Sequence, residues 1–147
     1  MNMIIFIGIP ASGKSEFYKR RFYDTHVRVN LDMLKTRNRE SILINACFAA
    51  KQPFVVDNTN VTKESRGKYI NAAKERDFEI VGYYFNSSIE ASITRNEKRA
   101  GKKRIPVEAI LSASKKLELP STTEGFNKLY YVYIQNDEFF VEDYIDL

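Results

Sequence analysis

Met3-Ile4-Ile5-Phe6-Ile7-Gly8-Ile9-Pro10-Ala11-Ser12-Gly13-Lys14-Ser15 decides how the rest of the chain is read. Its first part is a continuous apolar run rich in β-branched residues, the pattern of a strand buried on both faces of a parallel sheet. Residues 8–15 match GxxxxGK[ST], a phosphate-binding loop, and the match has the flanks the chemistry needs: a buried strand before it and a helix, Ser15 to Arg21, after it. Glycines at 8 and 13 let backbone N–H groups converge on phosphate oxygens, and the helix beginning there turns its unpaired N–H groups and dipole towards the same anion. In such a loop Lys14 bridges the β- and γ-phosphates and Ser15 holds Mg²⁺ through its hydroxyl. Gly8, Pro10, Ala11, Ser12, Gly13, Lys14 and Ser15 are therefore the candidate ATP-binding residues.

Working outward, strands and helices alternate. Val27–Asn30 is a short strand, Asp32 to Ala50 mostly helical, Phe54–Asp57 a strand, and Thr62 to Arg76 a helix with Thr62 as N-cap. Phe78–Phe85 is a strand, Ser88 to Ala100 a helix capped by Ser87 or Ser88, and Pro106 to Leu117 a helix with proline in its first turn. Leu129–Ile134 is a strand, and Phe139–Val141 is a candidate for one more. This order predicts one α/β domain over residues 1–147, a mainly parallel sheet covered on both faces.

Of the 147 residues, 44% are hydrophobic and 29% charged, ordinary for a chain that buries a core. Composition excludes intrinsic disorder, collagen and a disulfide scaffold, since Cys47 is the single cysteine. The longest apolar run is too short to span a membrane, and no secretory leader is recognisable at the start, so an intracellular, cytoplasmic protein is expected. The net charge of +4 is unevenly spread. Residues 1–120 carry 22 Lys/Arg against 13 Asp/Glu, and residues 121–147 carry one against six. A basic body is a weak pointer to a polyanionic partner.

Three further segments hold candidate chemistry. Asp32 follows a strand, at the carboxyl edge where α/β sites gather; it either accepts the proton of an attacking hydroxyl or caps the next helix. Asp57 ends an apolar strand and either binds Mg²⁺, holds an arginine, or forms a polar turn with Asn58. Residues 95–104 hold six basic side chains and one acidic. That run is either a solvated face or a segment that closes over a nucleotide, with Arg95 and Arg99 four apart on one helix face and Gly101 as a flexible end.

Together these blocks resemble the 5′-hydroxyl polynucleotide kinases, the P-loop kinase domains of nucleic-acid end-repair enzymes. The resemblance rests on Gly-Ile-Pro-Ala-Ser-Gly-Lys-Ser (8–15), Val-Asn-Leu-Asp (29–32), Asp-Asn-Thr-Asn with Ser65-Arg66 downstream, Arg-Asn-Glu-Lys-Arg (95–99), Ile-Pro-Val (105–107) and the segment from Pro120 to Phe126. It implies a kinase-type P-loop NTPase fold, a three-layer sandwich with an arginine-rich lid. ATP (or another NTP) and Mg²⁺ are the implied cofactors, and 5′-hydroxyl ends of DNA or RNA the implied acceptor. By position, Asp32 resembles the general base and Lys14 and Ser15 the phosphate and Mg²⁺ ligands. Arg99 resembles the lid arginine on the ATP phosphates, Arg95 a second lid contact, and Asp57 the carboxylate that orients Arg99. Lys35 and Arg66 resemble acceptor contacts, and Asn58 belongs with Asp57 among the orienting residues.

Two departures bear on the acceptor. Leu31 stands where many members have arginine, and Lys35 meets phosphate as a point charge where an arginine would fork. A P-loop kinase for a small hydroxylated metabolite is the alternative, and a nucleotide-dependent module without transfer a more distant one. The length fits one kinase domain, with no fused phosphatase or ligase expected.

Overall fold

β1 (Asn2–Ile7) runs through the middle of the sheet in a computed structural model that describes residues 1–146, the Lys102 side chain excepted. Leu147, last residue of the expected domain, and any role of the Lys102 side chain in the basic run lie outside the described residues. The other strands are β2 (Val27–Val29), β3 (Phe54–Val56), β4 (Glu79–Phe85), β5 (Lys128–Gln135) and β6 (Glu138–Asp143). Their order is β2-β3-β1-β4-β5-β6, parallel throughout except for the antiparallel β5–β6 pair.

Alternation along β1 builds both cores. Met3, Ile5 and Ile7 pack with Ile44, Cys47 and Phe48 of α3 (Arg37–Ala50) and with Tyr69, Ile70 and Ala73 of α4 (Lys63–Glu75). Ile4 and Phe6 pack on the opposite face with Phe17 and Tyr18 of α1 (Lys14–Arg21). The sheet is thus the middle of three layers, and a strand apolar at every position is what such a place requires. Thr62 caps α4 by accepting from the Ser65 N–H, and Ser88 caps α5 (Ile89–Glu97) by accepting from Ala91.

Three expectations need correction. The helix expected over 32–50 is two: α2 (Leu31–Leu34) ends where Lys35 takes φ 75°, and Thr36 caps α3 afresh. The helix expected to reach Ala100 ends at Glu97, so Arg99 lies beyond α5 and shares no helix face with Arg95. The candidate last strand is real but longer, and it reverses direction through Asn136 and Asp137, both at positive φ, a two-residue hairpin loop suited to the sheet's twist. After a turn at Gly101–Lys103, α6 (Val107–Lys116) completes the helices. No helix among the described residues is long and apolar enough to cross a membrane.

Candidate functional site

The phosphate loop joins β1 to α1 at the carboxyl edge of the sheet. Gly8 donates its N–H to the Thr59 carbonyl, anchoring the loop to the turn after β3. Gly13 has φ 98°, a backbone conformation that favours glycine, and a Cβ there would stand 2.8 Å from the Ile134 side chain and 3.0 Å from Phe139, so the β5–β6 hairpin packs close against the loop. Lys14 is buried and folded back over its own loop, donating to the carbonyls of Gly8 (3.0 Å) and Ile9 (2.8 Å). Burial pushes its pKa from 10.5 down to about 8; Asp57 opposes that fall, Arg99 adds to it, and Asp32 opposes it. The charges of Asp32, Asp57 and Arg99 therefore all reach Lys14.

Asp32 is solvent-exposed in the first turn of α2. It does not cap the helix: the N-cap is Asn30, whose Oδ1 accepts from Met33 N–H and whose Nδ2 donates to the Asp57 carbonyl at 2.6 Å. Asn58 fixes the same turn from the other side. Its Oδ1 accepts from Leu31 N–H (2.9 Å), and its Nδ2 donates to Glu40 (3.1 Å). Glu40 is buried and also accepts from Arg37 and from the Tyr69 hydroxyl, whose pKa burial and that carboxylate push up to about 12. The backbone carrying Asp32 is thus held by a satisfied polar network while its carboxylate is left free for solvent or ligand.

Asp57, 1% exposed, accepts from Ser15 Oγ (3.2 Å) and from Arg28 Nε (2.8 Å). Arg28 also donates to Ser15 Oγ at 2.9 Å. The arginine held by Asp57 is therefore Arg28 on β2, whereas Arg99 donates to the Lys103 carbonyl at 3.4 Å; the expected Asp57–Arg99 pairing is corrected. Arg28 escaped the reading of the sequence. The usable signal was an arginine between two valines of a short, partly buried strand, a charge that gains from a partner.

The lid residues divide. Arg95 donates to the Ala11 carbonyl (3.2 Å) and to Ser87 Oγ (3.0 Å), pinning α5 to the phosphate loop; burial and then Arg99 lower its pKa. Buried Asn96 holds both backbone groups of Ile105, donating to its carbonyl (2.7 Å) and accepting from its N–H (3.0 Å). Residues 98–104, beyond the end of α5, are therefore a segment closed at its base. A cleft of about 510 Å³ opens beside Arg95, lined also by Ser87, Tyr133, Ile134 and Gln135.

Lys35 is exposed on the same edge as Asp32. Arg66 is not available there. Fully buried, it forks onto Glu124 and donates to the Asn60 carbonyl, so its expected role as an acceptor contact is replaced by a structural one. A buried guanidinium demands such partners, and Glu124 lies too far along the chain for spacing to reveal it.

Ser15 and Asp57 suit a hard cation. Both offer oxygen, and their 3.2 Å separation is near the ~3 Å between adjacent oxygens around an octahedral Mg²⁺.

The chain is 30% identical over 131 residues to the bifunctional polynucleotide phosphatase/kinase of Schizosaccharomyces pombe, covering 86% of this chain and 32% of that protein. It is 29% identical over 140 residues to the L-seryl-tRNA(Sec) kinase of Methanococcus maripaludis, covering 82% and 54%. The chain thus spans about a third to a half of the length of these curated relatives. Kti12 of Chaetomium thermophilum, solved with ADP-AlF3, superposes with a TM-score of 0.66 at 18% identity, covering 92% of this chain and 91% of that one, a likeness of fold. A family model described as AAA domain matches residues 3–120. The chain belongs to that family as a P-loop kinase domain, and its likeness to a polynucleotide phosphatase/kinase supports the family resemblance carried by its motifs.

Proposed function

We propose that this domain transfers the γ-phosphoryl group of ATP to the 5′-hydroxyl end of DNA or RNA. The observation that carries the reading is the exposed Asp32 carboxylate, on a turn whose backbone Asn30 and Asn58 hold through the N–H groups of Met33 and Leu31, at the edge where Lys14 lies in the phosphate loop. Asp32 takes the proton of the acceptor hydroxyl as its oxygen attacks the γ-phosphorus, and the bond to the β–γ bridging oxygen breaks to leave ADP. Lys14, Arg95 and Arg99 neutralise phosphate charge, and the loop N–H groups orient the chain of phosphates. Mg²⁺, held by Ser15 and Asp57, supplies further charge neutralisation when bound. The cleft beside Arg95 gives the nucleobase room. Lys35 meets an acceptor phosphate.

Support comes from the motif blocks and the polynucleotide phosphatase/kinase relative. A second reading, a small hydroxylated metabolite as acceptor, is favoured by Leu31 in place of arginine, and the relative named for seryl-tRNA has a named acceptor that is not a 5′ end. The test is γ-labelled ATP with Mg²⁺ and 5′-hydroxyl oligonucleotides of DNA and RNA. Label on the 5′ end is the expected result. Intact ATP binding without transfer to any oligonucleotide would turn the assignment to the smaller acceptor.

A further inference from the structure

Arg28 makes a closed triangle with the two residues that suit the metal. Its Nε is 2.8 Å from Asp57 Oδ2, one terminal nitrogen is 2.9 Å from Ser15 Oγ, and Ser15 Oγ is 3.2 Å from the same Asp57 oxygen. The sheet explains the meeting. Arg28 pairs in register with Val55, whose side chain lies on the α1 face; Asp57, two residues on, falls on that face too, opposite Ser15 at the start of α1. Asp57 is 1% exposed, whereas the Arg28 side chain is 27% exposed and has a way out to solvent.

We propose that Arg28 is a built-in cation that holds the Ser15–Asp57 pair when no metal is present and gives it up to the divalent cation that accompanies a nucleotide. One Asp57 oxygen accepts from both Ser15 and Arg28, and the serine spends its hydroxyl proton on the carboxylate and a lone pair on the guanidinium. A divalent cation within ~2.1 Å of both oxygens would stand against the guanidinium, like charge against like charge. The two cannot share the pair, so Arg28 sets how strongly nucleotide binding depends on metal. The inference rests on nucleotide binding at loop 8–15 and is independent of the acceptor.

The experiment measures the ADP dissociation constant by calorimetry in EDTA and in saturating Mg²⁺, for the wild-type chain, Arg28→Met and Arg28→Lys, with a thermal melt of each. The readout is the ratio of the two constants. Removing Arg28 takes a positive charge from the metal-free site and a competitor from the metal-loaded one, so both arms move the ratio the same way. Arg28→Met is expected to raise it about tenfold or more, the equivalent of ~1.4 kcal/mol. Arg28→Lys, which keeps the charge without the fork, should fall between. If Arg28→Met does not fold, a raised ratio in Arg28→Lys carries the proposal and an unchanged one overturns it. A ratio equal to wild type in folded variants makes Arg28 a structural partner of Asp57 and nothing more. Absence of ADP binding by the wild type in both conditions would overturn the nucleotide site itself, a different failure.

Discussion

Arg66, on α4, places its guanidinium against both oxygens of Glu124, with Nε at 2.8 Å and a terminal nitrogen at 3.1 Å, and none of its side chain reaches solvent. Glu124 also accepts from Ser121 N–H, closing the capping box of the turn Thr122–Glu124. Replacing Arg66 by Met should cost ~3 kcal/mol, because it leaves a carboxylate without its partner. That corresponds to a fall in Tm of roughly 10 °C for a chain of this size. Pairing it with Glu124→Met should recover most of the loss. An Arg66→Met protein of unchanged Tm but weakened acceptor binding would return Arg66 to the acceptor site.

The low pKa of Lys14 gives a signed pH effect. Without nucleotide, burial holds the amine at about 8; in the unfolded chain it returns to the ordinary 10.5. Between those values the unfolded state binds more protons, so this residue makes stability rise with pH across that window. Phosphate reverses the burial effect by offering the ammonium a partner. Above pH 8, nucleotide binding should therefore take up close to one proton, and affinity should weaken as pH climbs. Well below pH 8 the uptake should vanish. Calorimetry in buffers of different ionisation enthalpy measures it, and Lys14→Met should abolish it.

Asp32 and Asn58 should separate by kinetics. Asp32→Ala removes the base and should slow transfer by ~100-fold or more with ATP affinity intact. Asn58→Ala removes the acceptor for Leu31 N–H and a donor to Glu40, at a stability cost of ~1 kcal/mol. It should lower kcat while leaving the acceptor KM nearly unchanged, since it moves the base rather than the acceptor contact. Asp32→Ala with most of its rate retained would remove Asp32 from the chemistry.

Lys35 is the place to test a polyanionic acceptor. Acceptor affinity should fall steeply with salt, and Lys35→Ala should flatten the slope of log affinity against log salt by about 0.7 for a single-stranded acceptor. Stability should hold, because the exposed side chain supports nothing and only the backbone at φ 75° is special. A slope near zero in the unaltered protein would favour an uncharged acceptor.

What could be read without coordinates was local. The loop 8–15, the strand apolar on both faces and the Thr62 cap follow from neighbours in sequence. The same logic failed where a side chain chose a partner across the sheet. Arg28 and Asp57 are 29 residues apart and meet because β2 and β3 run in parallel register; Arg66 and Glu124 are 58 apart. Charge and spacing showed that Asp57 could hold an arginine but not which one. Helix periodicity carried straight through Lys35, since nothing in the apolar pattern marks a lysine that adopts positive φ. Arg99 is the same kind of case: the segment is helical in composition, but Asn96 spends its side chain on Ile105 and the chain turns away after Glu97.

That bond pair has a practical consequence. Asn96 stitches the two ends of residues 98–104 together below the segment's own turn, and Arg95 moors α5 to Ala11. The basic segment is therefore a module with a fixed seam. A change of length or composition within it should leave α5 and α6 in place, because the bonds that join its ends lie outside it.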